Sequence, residues 1–243
     1  SGSISSTEFT DQIGGYAAAF NDPTIQALVT DSTGGRVGQI AVQAIFWSGS
    51  TQQTILQSNG TLGATNHWFL LDDAASSSNF ANQINGVSQP FIGQTGIAGA
   101  INFGRGLFAG NIYDGSRLVM DVSGDGRDNQ DCSSTDTICT PVQNARNAAL
   151  NTDGIDRING LAITADVATL GDYYADNVIG GPGAFVLAAG NFSTEFTSAI
   201  RDKLAFEISG GTPDGAIPLP AAGWMMIAGM GGLAALRRRR HAA

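Results

Sequence analysis

Apolar residues along this chain follow two spacings that alternate from segment to segment. Within residues 5–20 they recur every three or four positions, which predicts a helix with one buried face. Within residues 37–47 they occupy alternate positions, which predicts a half-buried strand. The same patterns predict further helices over residues 72–84, 96–108, 141–151, 170–177 and 192–208, and further strands over residues 68–71, 117–122, 155–163 and 184–187.

Strands that alternate with helices are typical of an α/β domain built around a mostly parallel sheet. We therefore predict a three-layer, doubly wound, Rossmann-like fold over residues 1–212, with residues 213–243 as a separate tail. The segment after Trp47 is rich in Gly, Ser, Thr and Gln, and predicts a polar loop. In doubly wound sheets ligands bind beyond the carboxyl ends of the strands, so the loops at that edge are where chemistry is expected.

The charge balance excludes one class of partner. The chain has 12 Lys and Arg against 21 Asp and Glu, a formal charge of −9. Without the four arginines at 237–240, 8 basic side chains face 21 acidic ones, which is a charge of −13. So acidic a body repels phosphate backbones, and we expect no binding to nucleic acid.

Two cysteines, Cys132 and Cys139, lie close together in a polar segment. Zinc would need more ligands, and residues 1–212 contain one histidine, His67. In an oxidising compartment this spacing predicts a local disulfide, with free thiols as the alternative.

Three glycine-containing loops offer hard oxygen ligands. They are residues 1–3 (Ser-Gly-Ser), 93–96 (Gly-Gln-Thr-Gly) and 123–126 (Ser-Gly-Asp-Gly). Glycine lets the backbone turn tightly beside a ligand. Hydroxyls, a carboxylate and water are ligands that suit Mg²⁺.

Ser1, Ser3, Thr95 and Asp125, in this order on an α/β background, resemble the metal-ion-dependent adhesion site of von Willebrand factor A-type domains. The resemblance implies that these four residues bind Mg²⁺, or Mn²⁺ or Ca²⁺, and that an acidic group of a protein or glycan ligand completes the coordination. Asp121 is on the same strand face as Asp125 and would contact the metal ligands without binding the metal itself. The alternative is that Asp121 is an ordinary buried carboxylate with a backbone partner.

A second resemblance covers nearly the whole body. The chain is similar to a family of secreted proteobacterial proteins of unknown function related to von Willebrand A domains. The matching stretches are residues 15–20, 47–49, 93–95, 121–126 and 179–185.

The chain departs from the von Willebrand A pattern at its start. The family's leading Asp would fall two residues before Ser1, and the central first strand that precedes it is missing from the sequence as well. We expect the gene to encode that strand, ending in Asp-x, with a signal peptide upstream. A degenerate domain is the alternative.

Each site residue also has a simpler interpretation. Ser1 and Ser3 could cap the first helix, Thr95 could cap the third, and Asp125 could be a turn residue beside a glycine. An EF-hand calcium loop starting at Asp121 is disfavoured, because Cys132 stands where that loop needs a glutamate.

Enzyme signatures are weak, and we expect a binding protein. A Ser-His-Asp triad would have to use His67, and residues 1–3 do not form a Gly-x-Ser-x-Gly elbow. The alternatives are a secreted hydrolase, metal-dependent or Ser-based, and a passive matrix protein.

The tail has a distinctive order of residues. Pro218, Leu219, Pro220 and Ala221 precede an apolar run over residues 221–236 and the arginines at 237–240. This order resembles the VPLPA-type, PEP-CTERM-like C-terminal signal, with Ile217 in place of the usual Val. The resemblance implies export, a short transmembrane helix that anchors the chain transiently in the inner membrane, cleavage by an exosortase-type enzyme, and display on the cell surface or in the matrix. An ordinary single-span anchor is the alternative.

Overall fold

The computed structural model describes residues 2–210 and 217–218. The described residues form seven helices and nine strands. The helices are α1 (Ser6–Asn21), α2 (Pro23–Val29), α3 (Ala74–Asn85), α4 (Ile97–Phe108), α5 (Thr140–Asn151), α6 (Leu170–Asn177) and α7 (Thr194–Ser209). The strands are β1 (Ile40–Val42), β2 (Ile45–Ser48), β3 (Gln52–Leu56), β4 (Leu62–Gly63), β5 (Phe69–Leu71), β6 (Val119–Gly124), β7 (Arg157–Ile163), β8 (Phe185–Ala189) and β9 (Ile217–Pro218).

The largest sheet has the order β6-β7-β8-β9. Strands β6, β7 and β8 are parallel, whereas β9 pairs antiparallel with β8. Pro218 lies opposite Phe185 at the edge of this sheet, where a residue without an N–H group is tolerated. The predicted mixed α/β architecture with a parallel sheet is confirmed for these three strands.

The first half of the chain differs from the prediction. The strand predicted over residues 37–47 is two strands, β1 and β2, which belong to separate antiparallel sheets. The polar segment after Trp47, predicted as a loop, contains β3, paired antiparallel with β2. Ile55 and Leu56 are fully buried at the end of β3 and fix that strand against the core. The expectation of one mostly parallel sheet therefore does not extend to β1–β5.

Helices lie on both sides of the parallel sheet and make three layers. Alternate side chains of β7 point in opposite directions, as a pleated strand requires. Ile158 belongs to the core shared with α4, α5 and α6, whereas Leu161 and Ile163 pack with Phe196 of α7. Helices α1, α2 and α3 form a further core with β3 and β5.

Local sequence explains where the first two helices begin. Ser5 caps α1: its hydroxyl accepts from the Glu8 N–H at 3.2 Å, and the Glu8 carboxylate accepts from the Ser5 N–H at 2.8 Å. Asp22 ends α1 and caps α2, which has Pro23 in its first turn. The helix predicted within residues 5–20 is therefore confirmed to within one residue at each end, and a short helix that was not predicted follows it.

In the ranges 2–210 and 217–218, no helix is long and apolar enough to cross a membrane. The apolar run at 221–236, the arginines at 237–240 and the motif residues Leu219, Pro220 and Ala221 lie outside the described residues.

Candidate functional site at the carboxyl edge of the parallel strands

The loop before α1 and the loop before α4 meet at the carboxyl edge of the sheet. The Gly2 N–H donates to the Gly93 carbonyl at 2.5 Å. The end of β2 joins them, because the Gly49 N–H and the Ser48 hydroxyl both donate to the Gln94 carbonyl, at 2.6 and 3.0 Å. The backbone around residues 93–94 is therefore fixed from two sides.

Thr95 lies against the turn that contains Asp125. A Cβ atom added to Gly126 would be 3.3 Å from the Thr95 Oγ1 atom, so the hydroxyl adjoins the residue that follows Asp125. Thr95 and Asp125 are both buried, with 4% and 5% of their surface exposed. The two residues are 30 positions apart, and the α/β topology brings Thr95 close to the turn that contains Asp125, as the resemblance to a metal-ion-dependent adhesion site implies.

Ser3 lies in the turn that precedes α1 and is exposed. Its neighbour Gly2 is the residue bonded to Gly93, which places the Ser3 turn beside the loop that carries Thr95. Ser1 lies outside the described residues. The helix-cap interpretation is wrong for Ser3 and for Thr95, because Ser5 caps α1, and Gly96, without a side-chain bond, is at the cap position of α4.

Asp128 caps the N-terminus of α4, whose own N-cap residue, Gly96, has no side chain to do so. It is completely buried, and its carboxylate accepts from the Ala98 N–H at 3.0 Å in the first turn of that helix. The same carboxylate accepts from the Gln130 and Asp131 N–H groups at 3.1 and 2.9 Å. Sequence reasoning missed Asp128, because its partner on α4 is 30 residues away.

Asn129, next to Asp128, links the loop after β6 to the loop before α4 through hydrogen bonds. Its side-chain oxygen accepts from the Thr95 N–H at 2.8 Å, and its own N–H donates to the Thr95 carbonyl at 2.9 Å. The Gln94 amide donates to the Asn129 carbonyl at 3.0 Å. Thr95 is thus held by reciprocal bonds from the loop that begins at Asp125.

The predicted disulfide is confirmed. Cys132 and Cys139 are joined across seven positions in the segment between β6 and α5. Cys139 is completely buried, and its N–H donates to the Asn177 side chain at 2.7 Å. The disulfide closes the far end of the loop whose near end carries Asp125, Asp128 and Asn129.

We expect Asp128→Ala to lower the free energy of unfolding by about 1–3 kcal/mol, since three backbone donors lose a buried acceptor. Asp136→Ala is the matched control: it removes an exposed carboxylate of the same loop and should change stability by less than about 0.5 kcal/mol. Urea denaturation of both variants measures the difference. Equal losses would mean that Asp128 does not hold the loop.

Asp121 lies in a separate charged cluster deeper along β6. Its carboxylate is 2.7 Å from the Lys203 ammonium, and Lys203 also pairs with Glu207 one helical turn further along α7. Lys203 is completely buried. Burial alone would lower the pKa of Lys203, but the charges of Asp121 and Glu207 outweigh it and raise that pKa.

Ser123 and Tyr16 connect this cluster to α1. The Tyr16 hydroxyl donates to the Ser123 hydroxyl at 3.0 Å and lies 3.5 Å from the Asp121 carboxylate. The Gln12 amide also donates to the Ser123 hydroxyl, at 3.2 Å. Burial, followed by the Asp121 charge, raises the pKa of Tyr16 well above its usual value.

The candidate ligands are oxygen atoms, which a hard cation prefers, but together they have little negative charge. Within residues 2–210 and 217–218, no group of three or more His, Cys, Asp or Glu side chains could hold a metal. The candidate donors there are therefore the Ser3 and Thr95 hydroxyls and the Asp125 carboxylate, which are oxygen ligands of the type that Mg²⁺ takes with several waters. Asp125 is the one member of this set with a formal charge.

These observations define an α/β protein in which three loops meet at the carboxyl edge of a parallel sheet and are fixed by hydrogen bonds and a disulfide. The chain belongs to the family described as "Protein of unknown function (DUF1194)", whose model matches residues 1–212. Comparison with curated proteins and with solved structures gave no match.

Proposed function

We propose that this protein is an exported von Willebrand A-like binding domain, displayed on the cell surface or in the matrix. A divalent cation held by Ser1, Ser3, Thr95 and Asp125 would bind an acidic group of a protein or glycan ligand. The observation that carries the proposal is the position of the Thr95 hydroxyl against the Asp125–Gly126 turn.

The rigidity of the loops supports this proposal. A cation site gains affinity when its ligands are already in place, because little ordering is left to be done on binding. Thr95 is fixed through Asn129, the Asp125 loop is closed by the disulfide, and the N-terminal turn is bonded to Gly93.

Charge also favours a cation at this site. The chain has a formal charge of −9, so an acidic ligand group approaching it meets net repulsion. A bound Mg²⁺ would reverse that repulsion locally and accept the ligand oxygen. In this arrangement Asp125 would supply charge, and the hydroxyl oxygens of Ser1, Ser3 and Thr95 would supply neutral ligands to the ion.

The proposed export of the protein depends on its C-terminal tail, residues 213–243. We propose that an exosortase-type enzyme recognises Pro218, Leu219, Pro220 and Ala221 after the apolar run has placed the chain transiently in the inner membrane. Pro218 belongs to β9, so the start of this motif is extended. Cleavage at or near this motif would then leave the body of the protein outside the cell.

The expected result is that Mg²⁺ or Mn²⁺ raises the melting temperature of the wild-type chain and that Asp125→Ala abolishes the rise. At about 100 times its dissociation constant, a ligand that binds only the folded state adds about 2.7 kcal/mol. Thr95→Ala should weaken the rise less than Asp125→Ala, because it removes a dipole and not a charge. Melting curves with metal and with chelator measure these shifts.

Asp136→Ala serves as the control for a general loss of negative charge near the loop, and it should melt with the same metal-induced shift as wild type. Equal shifts in wild type and Asp125→Ala would make Asp125 only a turn residue and favour the passive matrix protein. Hydrolysis of a chromogenic ester that survives chelator would favour the Ser-based hydrolase instead.

A further inference from the structure

The tail meets the body of the protein at one edge of the main sheet. Strand β9 runs antiparallel to β8, and Pro218 lies opposite Phe185, the first residue of β8. Ile217 lies opposite the next residue, Val186. The chain therefore runs from Ile217 toward the edge at which the parallel strands begin, which we call the amino edge, and Pro218 lies at that edge.

The segment between α7 and β9 begins at the same edge. The Arg117 guanidinium, which lies just before β6, donates to the Ile208 carbonyl at 3.0 Å, in the last turn of α7. A Cβ atom added to Gly210 would be 2.6 Å from the Arg117 Nη1 atom. Because β6 begins at the amino edge, these contacts place the end of α7 there as well. The chain thus leaves α7 and leaves β9 on the same side of the molecule.

The candidate site lies at the opposite end of the strands. Asp125 directly follows β6, whose six residues extend about 20 Å from the amino edge. Helix α4 begins just after Thr95 and has twelve residues, so it ends at Phe108 after about 18 Å. The loops proposed to hold the cation are therefore separated from Pro218 by about the length of a strand.

The connection between the sheet and the apolar run of the tail is short. Leu219 and Pro220 alone separate Pro218 from the apolar run at 221–236. Even a fully extended chain covers at most about 11 Å from residue 218 to residue 221. A compact body the size of residues 1–212 has a radius of gyration of about 17 Å. So short a tether does not allow a body of this size to turn over at a membrane surface.

The carboxyl edge of the sheet is strongly acidic. Within residues 125–139 and 164–169, which follow β6 and β7, the basic side chain is Arg127. The acidic side chains of the same two segments are Asp125, Asp128, Asp131, Asp136 and Asp166. Negatively charged lipid headgroups repel such a surface.

The amino edge is close to neutral, because its basic and acidic side chains balance. Arg105 pairs with Asp153 just before β7, and the Arg157 Nε–H donates to the Pro182 carbonyl at 2.9 Å just before β8. The basic side chains at this edge are Arg105, Arg117 and Arg157, and the acidic ones are Asp114, Asp153 and Asp156. The tether keeps this edge within about one Debye length of the headgroups, where the difference in charge between the two edges is felt.

We propose that the tail holds the amino edge of the sheet, with Arg105, Arg117 and Arg157, against the lipid headgroups, so that the candidate site at the carboxyl edge faces away from the membrane. The proposal rests on the proposed insertion of the tail into the membrane, and it does not depend on metal binding. In this orientation a large ligand can reach the candidate site before the tail is cut.

Energy transfer from the full chain to labelled lipid measures this orientation. Ile112, between α4 and β6, and Ile92, beside Gly93, are matched label positions at the two edges, because 88% and 77% of their surfaces are exposed. Ile112→Cys and Ile92→Cys each carry a donor dye, which Cys132 and Cys139 do not take up because they are joined. The vesicles contain phosphatidylethanolamine, phosphatidylglycerol and an acceptor-labelled lipid. We expect the donor at position 112 to lie about 18 Å closer to the acceptor plane than the donor at position 92, which is the length of α4.

Flotation with the vesicles separates a failure of the tail from a failure of the orientation. A chain without residues 219–243 is the control, and it should neither float with the vesicles nor transfer energy from either position. A full chain that also stays off the vesicles would overturn the proposed membrane step, and this orientation with it. A bound full chain with equal transfer from both positions, or with more from position 92, would overturn the orientation alone.

A second control lengthens the tether and leaves β9 and the apolar run unchanged. A Gly-Ser linker of about twelve residues between Pro218 and Leu219 adds a flexible coil of about 20 Å. The difference in distance between the two label positions should then fall to less than about half, because the body can turn on a coil of this length. A difference that stays the same would mean that the tether does not set the orientation, and the proposal would be wrong.

Discussion

Lys203→Met is expected to lower the free energy of unfolding at pH 7 by about 3–5 kcal/mol, the usual cost of removing one partner from a buried ion pair. Lys203 is completely buried and pairs with two carboxylates, those of Asp121 and Glu207. Methionine keeps much of the side-chain volume but leaves these two charges facing each other without a cation. The loss is therefore electrostatic and not a loss of packing.

Glu207 makes the expected loss depend on pH. Burial, only partly offset by Lys203, raises the pKa of Glu207, and the nearby Asp121 charge raises it further. A carboxyl with a raised pKa in the folded state contributes stability below its ordinary pKa of 4.5, and that stability is lost as pH rises through the folded value. Removing Lys203 should raise the pKa of Glu207 further, so that Glu207 takes up a proton more readily in the variant. The loss of unfolding free energy in Lys203→Met should therefore become smaller as pH falls toward 4.5.

Urea denaturation of wild type and Lys203→Met at pH 7 and pH 5 tests both parts. Arg201→Met is the matched control, because Arg201 is on the same helix and its side chain is 50% exposed. Its change should stay within about 0.5 kcal/mol. A deficit for Lys203→Met that is the same at both pH values would show that packing, and not charge, is lost.

The elements that sequence reasoning identified are those whose signals are local. Helix α1 has a capping box at Ser5 and Glu8 and a regular apolar stripe, and all of these lie within its own residues. The parallel strands β6, β7 and β8 alternate with helices, so their order alone favours the observed architecture.

The elements that it missed depend on distant partners. Strand β3 begins with two glutamines and a threonine, and it becomes a strand through pairing with β2 and burial of Ile55 and Leu56. Tertiary pairing of this kind overrides local composition. The bonds of Asp128 to α4 and the ion pair of Lys203 with Asp121 were missed for the same reason, because in each case the two partners are far apart in the sequence.

The residues of the candidate site were predictable from the sequence, but the hydrogen bonds that hold them in place were not. The sequence indicated Thr95 and Asp125 as oxygen donors, and the structure brings their loops together. It did not indicate that Asn129 fixes Thr95 through one hydrogen bond from its side chain and one from its backbone. Those bonds come from the conformation of the loop after β6, which apolar spacing does not encode.

Alkaline unfolding is expected to begin near pH 10 and to be steep. Burial is the main cause that raises the pKa of Tyr174 well above its usual value, and the Asp125 charge adds to it; burial likewise raises the pKa of Tyr173 to about 12. Tyr16 and Lys203 also have raised pKa values. The unfolded chain releases these protons near pH 10, whereas the folded chain retains them. The stability they contribute is thus complete below pH 10 and is lost as pH rises through the folded values.

For each group that keeps its proton in the folded state alone, the free energy of unfolding falls by about 1.4 kcal/mol for every pH unit above pH 10. Tyrosinate absorbance at 295 nm and circular dichroism should therefore change together in one transition. Tyr174→Phe is the informative variant, because the Tyr174 hydroxyl is buried with no hydrogen-bond partner among the described residues. Its loss should cost little at pH 7 and should make the alkaline transition less steep. Tyrosinate absorbance that rises well before the dichroism changes would mean that these hydroxyls ionise in the folded protein, and the buried setting of Tyr16 and Tyr174 would then be wrong.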